Sequence, residues 1–335
     1  VTTTDTTIED IATRARVSKS TVSRVLNSSA IVSPDKRQAV LKAMKDLGYR
    51  PNVLARSLAG GRSMTVGIVT QIIGSPFYDT IAQGAIEGLG GTGVTPIFVD
   101  GRWEQTTELE VIRTLLGRKV DGMLLIGGDV SVAELNKLKA RLPTVVVARR
   151  LSGWGQQCVS IDNVDAGYRA TRYLIRQGHR RIVCIRGNKD HQDAVDRHAG
   201  YVKALQEAGL PLDRKLVYQG DFSGQAGIMA VDSLLARGVH FSAIFAANDA
   251  VAFGARLALF RHGYRVPDDV SLIGFDDQAE AAWMTPPLTT MRQPAREMGS
   301  VAVQALLSVI EGREPSSSPP LRAELLVRET VARHG

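Results

Sequence analysis

Two cysteines, Cys158 and Cys184, are all that this 335-residue chain contains. Both sit inside apolar runs and neither has metal-ligand spacing, so a disulfide framework and a zinc site are excluded and a reducing compartment is expected. Long apolar runs are missing as well. No stretch approaches the roughly 18 uninterrupted apolar residues of a membrane span, and the first twenty residues or so are polar without a signal-like apolar region. Neither export nor anchoring is expected, and the cytoplasm is the expected location. Catalytic signatures are absent too: the chain has no G-x-x-x-x-G-K-[ST] loop, no H-E-x-x-H pair and no G-x-S-x-G elbow. The run from Gly88 to Gly93 does satisfy G-x-G-x-x-G, but it closes a helical pattern and precedes a strand-like one, the reverse of a dinucleotide loop. No cofactor, no metal and no enzymatic activity are therefore expected. His179, His191 and His262 lie near loops or helix ends and read as surface residues.

What is present is an uneven charge. The whole chain carries +7, and residues 1–62 hold eleven Lys or Arg against five acids, leaving the rest nearly balanced. A charge excess confined to one segment points to a nucleic-acid surface there rather than to a generally basic protein. In that segment Thr6 and Glu9 have capping-box spacing, and Ile8, Ile11, Ala12 and Ala15 repeat at helical intervals. A second helix follows with Ser18 as cap and Val22, Val25 and Leu26 as its apolar stripe. Lys19, Ser20, Thr21, Ser23, Arg24 and Asn27 form its polar surface. A third starts with Ser33 and Pro34, buries Val40, Met44 and Leu47, and ends at Gly48. Three short helices with the second exposed make a helix-turn-helix unit. Arg24 is placed to contact guanine or phosphate, and Lys19 and Ser20 to reach base edges.

The run TIEDIATRARVSKSTVSRVLN, Thr7 to Asn27, and its continuation through VSPDKRQAVLKAMKDLGYRPNVLARSLAG resemble the headpiece of the lactose-repressor (LacI/GalR) family. The resemblance implies operator DNA as partner and a DNA-facing set of Thr7, Ser18, Lys19, Ser20, Thr21, Ser23, Arg24, Asn27 and Tyr49, to which Arg16 is expected to add a phosphate contact that the family normally lacks. One departure stands out: the family usually has Gly where this chain has Arg16, and a left-handed conformation there costs a non-Gly residue about 1 kcal/mol. After Pro51 the segment 52–58 has helical composition but is too short to fold alone. The resemblance implies that two copies pair across the minor groove with Leu58 as a wedge, and with Asn52 and Ala55 beside it. Composition alone favours a flexible linker with an incidental leucine; the position of the motif between headpiece and core favours the wedge.

From Met64 onward β-rich runs alternate with amphipathic helices. Strands are expected at 64–70, 95–100, 121–127, 144–148, 158–161, 181–185, 216–219, 243–247 and 271–276, which means βαβ units and two doubly wound parallel-sheet lobes. Ligands of such sheets bind beyond the carboxyl ends of strands, where Ser75, Phe77 and Tyr78 follow the first. This core resembles the same family, and through it the periplasmic sugar-binding proteins, on SPFYDTIAQGAIE, Arg197 to Tyr201, FAANDAVAFGA, GFDDQ and PPLTTMRQP.

The resemblance implies an effector clamped by Arg197, Asn248 and Asp276 and covered by Phe222, with Asp249 beside them. Helix capping is the competing role for the Asn and Asp residues. Where the family often has Asp-Arg after the fourth strand, this chain has Ala148-Arg149-Arg150, and Arg186 and His191 add donors. That makes the effector either a sugar or a sugar acid, unless these arginines face a subunit interface. The expected organisation is a headpiece at 1–49, a hinge at 50–62 and an effector-binding, dimerising core at 63–335. Its first lobe covers about 63–160 and 291–320, its second about 161–290 and 321–331. A homodimer on a pseudopalindromic operator is expected, and the absence of leucine heptads near Gly335 argues against a tail-built tetramer.

Overall fold

The computed structural model describes residues 6–27, 32–49, 62–317 and 319–335. The amino-terminal unit is three helices, α1 (Ile8–Ala15), α2 (Lys19–Asn27) and α3 (Pro34–Asp46), closed around Ile11, Ala12, Val22, Val25, Val40 and Ala43. Met44 and Leu47, expected in that core, are only partly buried against it, with Ala43 in the central position instead. Ser33 stands at the N-cap of α3 without a side-chain capping bond, and Pro34 follows it.

The core is built from two sheets. β1 (Thr65–Thr70), β2 (Thr95–Asp100), β3 (Gly122–Ile126), β4 (Thr144–Val147) and β5 (Cys158–Val159) form an all-parallel sheet in the order β2-β1-β3-β4-β5. The second contains β6 (Ile182–Arg186), β7 (Val217–Gln219), β8 (Ala243–Ala246), β9 (Ser271–Asp276), β10 (Thr289–Arg292) and β11 (Glu324–Leu326), in the order β11-β10-β9-β8-β6-β7. Among the described residues only β11 runs antiparallel to its neighbour. The inner strands β1, β3, β4, β8 and β9 are largely apolar because both faces are covered, whereas β2, β7 and β11 at the sheet edges are partly exposed. Met123 and Leu125 of β3 point to one side of the first sheet, Leu124 and Ile126 to the other.

The connecting helices are α4 (Pro76–Leu89), α5 (Gln105–Gly117), α6 (Val132–Lys139), α7 (Asn163–Arg176), α8 (Gln192–Glu207), α9 (Gly224–Ala236), α10 (Asp249–Arg261) and α11 (Ala295–Ile310). The Gly88 to Gly93 run ends α4 and leads into β2, the helix-to-strand order expected for it. A Cβ on Gly167 of α7 would lie 2.3 Å from the Arg197 carbonyl oxygen of α8, so the two backbones meet only because none is there. All nine expected strands are present. β10 lies outside those nine runs; it pairs in parallel with β9, Met291 opposite Phe275, before the chain crosses to α11, which packs on α4, β3 and β4.

Candidate functional site

The headpiece face is set by its caps. The capping box lies one residue later than Thr6 and Glu9: Thr7 Oγ1 accepts from the Asp10 amide and Asp10 Oδ2 from the Thr7 amide at 2.8 Å. Both registers satisfy the motif, and the observed one frees Glu9 to pair with Lys19 at 2.8 Å and the Thr6 hydroxyl to donate to the Leu47 carbonyl. The hydrogen bonds from Thr7 hold the Asp10 carboxyl below its usual value. Arg16 adopts φ 52, ψ 46, its amide bonding to Ala12 and Thr13 carbonyls. The turn is thus the left-handed one that favours glycine, and Arg16 occupies it. Ser18 Oγ accepts from the Thr21 amide at 3.2 Å and starts α2. Ser18, Lys19, Ser20 and Arg24 are exposed, while Thr21 and Ser23 are half-buried. Tyr49 leans on the headpiece core. Asn52, Ala55 and Leu58 lie outside the described residues, as does the side chain of Asn27.

Between the lobes lies a cleft of about 340 Å³. Seven of the nine expected effector residues line it: Ser75, Phe77 and Tyr78 from the loop after β1 and the start of α4, and Arg197, Phe222, Asn248 and Asp276 from the second lobe. Arg197 is its fixed cation. Nε donates to Asn163 Oδ1 at 2.9 Å, Nη1 to the Ala247 carbonyl at 2.7 Å, and the guanidinium lies 3.7 Å from the centre of the Phe275 ring. Asp276 Oδ1 stands 3.9 Å from Nη1 and accepts from Gln293 at 2.8 Å. Burial raises the Asp276 carboxyl to about 6 against the pull of Arg197.

Phe222 is held at φ 73 over Gly187, and Asn248 Nδ2 donates to its carbonyl at 3.0 Å. Asn248 also caps α10 through the Val251 amide, so it lines the cleft and caps at once. Positive φ at Phe222 and Asp276 is strain stored where side chains must point into a cavity.

Two expected residues stand elsewhere. Asp249 is fully buried behind the cleft, its oxygens taken by the Thr290 hydroxyl (2.6 Å) and the Gln278 amide (2.7 Å). It follows Asn248 directly, but entering a helix turns consecutive side chains apart. Arg149 lines a neighbouring cavity and donates to the Val130 carbonyl at 2.7 Å. Arg186 is not among the cleft residues.

Beyond the expected set the lining includes Trp103, Asn188, His191, Asp193, Asp221 and Gln278. Trp103 lies three residues past β2, so the strand-end rule would find it. His191, read as a surface histidine, faces the cleft, and burial pushes it down to about 4, neutral at pH 7. His179 is also buried, bonded to Ser242 Oγ at 2.9 Å and packed on His334, whereas His262 pairs with Asp232 at the surface. Among the described residues no carboxylate, imidazole and thiol cluster can hold a metal, and no helix is long and apolar enough to cross a membrane.

A helical DNA-reading unit joined to a two-lobed α/β core with a polar interlobe cleft defines a ligand-responsive DNA-binding regulator. The family model for bacterial regulatory proteins of the lacI family matches residues 7–52, and that for a periplasmic binding protein-like domain matches residues 171–331. The transcriptional regulator RegA of Clostridium saccharobutylicum is 36% identical over 97% of this chain and 99% of its own length. Among solved structures, a transcriptional regulator CelR–cellobiose complex is 36% identical over 97% of this chain and 99% of its own, with a TM-score of 0.72. The lac repressor dimer bound to operator and the anti-inducer ONPF is 26% identical over 98% and 99%, with a TM-score of 0.87. This chain belongs to the lacI family of bacterial regulatory proteins. It is a DNA-binding transcriptional regulator and not an enzyme.

Proposed function

We propose that the chain is a cytoplasmic repressor that binds a pseudopalindromic operator as a homodimer and whose grip changes when a neutral sugar closes the interlobe cleft. The cleft's charge carries this reading. Arg197 is fixed opposite Asp276, with Asp193 and Asp221 nearby and His191 neutral. Carboxylates accept from vicinal hydroxyls, the guanidinium donates, and Phe222 covers the ring's C–H face. With the acids outnumbering the cation, a sugar acid is repelled, and Arg149 is spent on Val130 with Asp129 beside it. The sugar therefore outweighs the sugar acid.

Closure of two lobes joined by chain crossings moves the 50–62 hinges of a dimer, and Leu58 is the residue through which that motion reaches DNA. Large apolar side chains exposed on the second lobe, Met229, Leu257, Phe260 and Trp283, supply the pairing surface. The test is selection of bound DNA from a random pool, repeated with neutral sugars and their acids. A palindromic site whose recovery responds to a neutral sugar is expected. Uniform binding to all sequences, or a response to acids alone, overturns the reading.

A further inference from the structure

Arg62, Ser63 and Met64 join the hinge to β1, and two partners distant in sequence hold them. Asp121, just before β3, takes both backbone amides of the join: Ser63 donates to Oδ1 at 2.7 Å and Met64 to Oδ2 at 2.8 Å. The Ser63 hydroxyl adds a third bond to Oδ1 at 3.0 Å, and the Asp121 amide donates to the Thr65 carbonyl at 2.8 Å. This clasp holds Met64 left-handed, at φ 52. Arg62 reaches the other way. Its Nη2 donates at 2.6 Å to the carbonyl of Ile310, the last residue of α11.

A helix leaves its last carbonyls without partners of its own, and a cation there also meets the negative end of its dipole. In α11 the Leu307, Ser308 and Val309 carbonyls accept from the amides of Glu311, Arg313 and Gly312, and that of Ile310 accepts from Arg62. The hinge therefore finishes the helix. Sixteen residues make α11 about 24 Å long, and its other end stands at the cleft, where Gln293, two residues before it, donates to Asp276. α4, which starts with Phe77 and Tyr78 in the cleft, lies against α11 backbone to backbone. A Cβ on Gly84 of α4 would strike the Arg296 carbonyl, and one on Gly299 of α11 the Ile81 carbonyl. Packing this close lets neither helix shift without the other.

We propose that Arg62 is a positioning residue for operator binding. By finishing α11 it fixes the direction in which the hinge leaves the core, and with the Asp121 clasp it makes the hinge travel with α4 and α11. The inference rests on the reading of residues 50–62 as a hinge that binds operator. A hinge freed from either hold leaves the core in many directions, only a fraction of which suit an operator, and apparent affinity falls by that fraction. Arg62 acts through the protein, since its guanidinium is engaged by the end of α11.

The test is fluorescence anisotropy of the full chain against salt, with the operator selected from a random pool and with unrelated DNA. Arg62→Met changes an exposed side chain, keeping an apolar stem and removing the donor. Asp121→Asn keeps the size and breaks the clasp, because one of its two terminal atoms no longer accepts. Each is expected to weaken operator binding about tenfold, to leave unrelated DNA within about twofold and to leave the salt slope unchanged. Arg62→Lys, which can donate to the same carbonyl, is expected to recover most of the loss. At Asp121 charge and clasp act in opposite directions: loss of an acid alone strengthens DNA binding, whereas loss of the clasp weakens it. A salt slope reduced by about one in Arg62→Met makes Arg62 a phosphate contact and overturns the inference. Operator binding by Asp121→Asn at or above the parent's level overturns it as well, and so does a loss shared equally by unrelated DNA, which marks damage to the fold. A random pool that yields no site overturns the operator reading and the inference with it.

Discussion

The ring of Phe222 rests on the α-carbon of Gly187: a Cβ there would come within 2.2 Å of Cζ and 2.3 Å of Cε1. The neighbour it would strike is the far end of a side chain, so the ring yields rather than the strand. Gly187→Ala is therefore expected to fold and to tilt Phe222 out of its place over the cleft. Calorimetry should show effector affinity falling by about tenfold, while operator affinity without effector stays within about twofold. Undiminished effector affinity would show that Phe222 is not the platform for the ligand.

Arg24 projects from α2 beside a helix whose amino end is already committed. Lys19 is paired with Glu9, and Ser18 is spent on the cap, so Arg24 is the exposed cation of the reading face with most freedom to reach a base. Arg24→Ala is expected to cost about 1–3 kcal/mol on the selected operator and little on unrelated DNA. Fluorescence anisotropy against salt checks it. A uniform loss on all sequences, with the salt slope reduced by about one, would make Arg24 a phosphate contact instead.

Some of this was legible in the sequence, and the rest had physical reasons not to be. Most of the nine strands were visible because burial on both faces makes a strand apolar, and the partly exposed β2 and β7 showed through their β-rich runs. β10 was hidden because Thr289 and Thr290 are polar, yet both are fully buried. Thr289 is paired with Thr330 and Arg328, Thr290 with Asp249, partners about forty residues away. In the cleft, Arg197, Asn248 and Asp276 lay in family motifs, Phe222 at a position the resemblance assigns to an aromatic, and Phe77 and Tyr78 at a strand end. Asp193 had neither, since an acid in the first turn of α8 looks like any dipole-complementing residue. Asp249 misled because adjacency in sequence is not adjacency in direction.

Arg16 holds a left-handed turn where glycine would be unstrained, and its exposed side chain sits beside the reading helix. Arg16→Gly is expected to stabilise the headpiece by about 1 kcal/mol, slowing hydrogen exchange of the α1 and α2 amides by about fivefold. The same change removes a cation from the DNA-facing side, so operator affinity is expected to fall although the fold is firmer. A variant that gains stability and keeps full operator affinity would leave Arg16 without a role in DNA binding.

Asp249 offers a pH signature of the buried cluster behind the cleft. Burial first, and then the neighbouring Asp276, raise its carboxyl from 3.8 to about 8, although bonds from Thr290 and Gln278 pull the other way. Between those two values the folded protein holds a proton that the unfolded chain has released. Unfolding then releases a proton, and stability falls as pH rises through this window. Asp249→Asn cannot ionise, and it can keep both contacts: its oxygen accepts from the Gln278 amide and its nitrogen donates to the Thr290 hydroxyl. The melting temperature of the variant relative to the parent is therefore expected to rise from pH 5 to about pH 8 and to level off above that. A difference that is flat across this range, measured in matched buffers, would mean that the parent does not carry a proton on Asp249 at neutral pH.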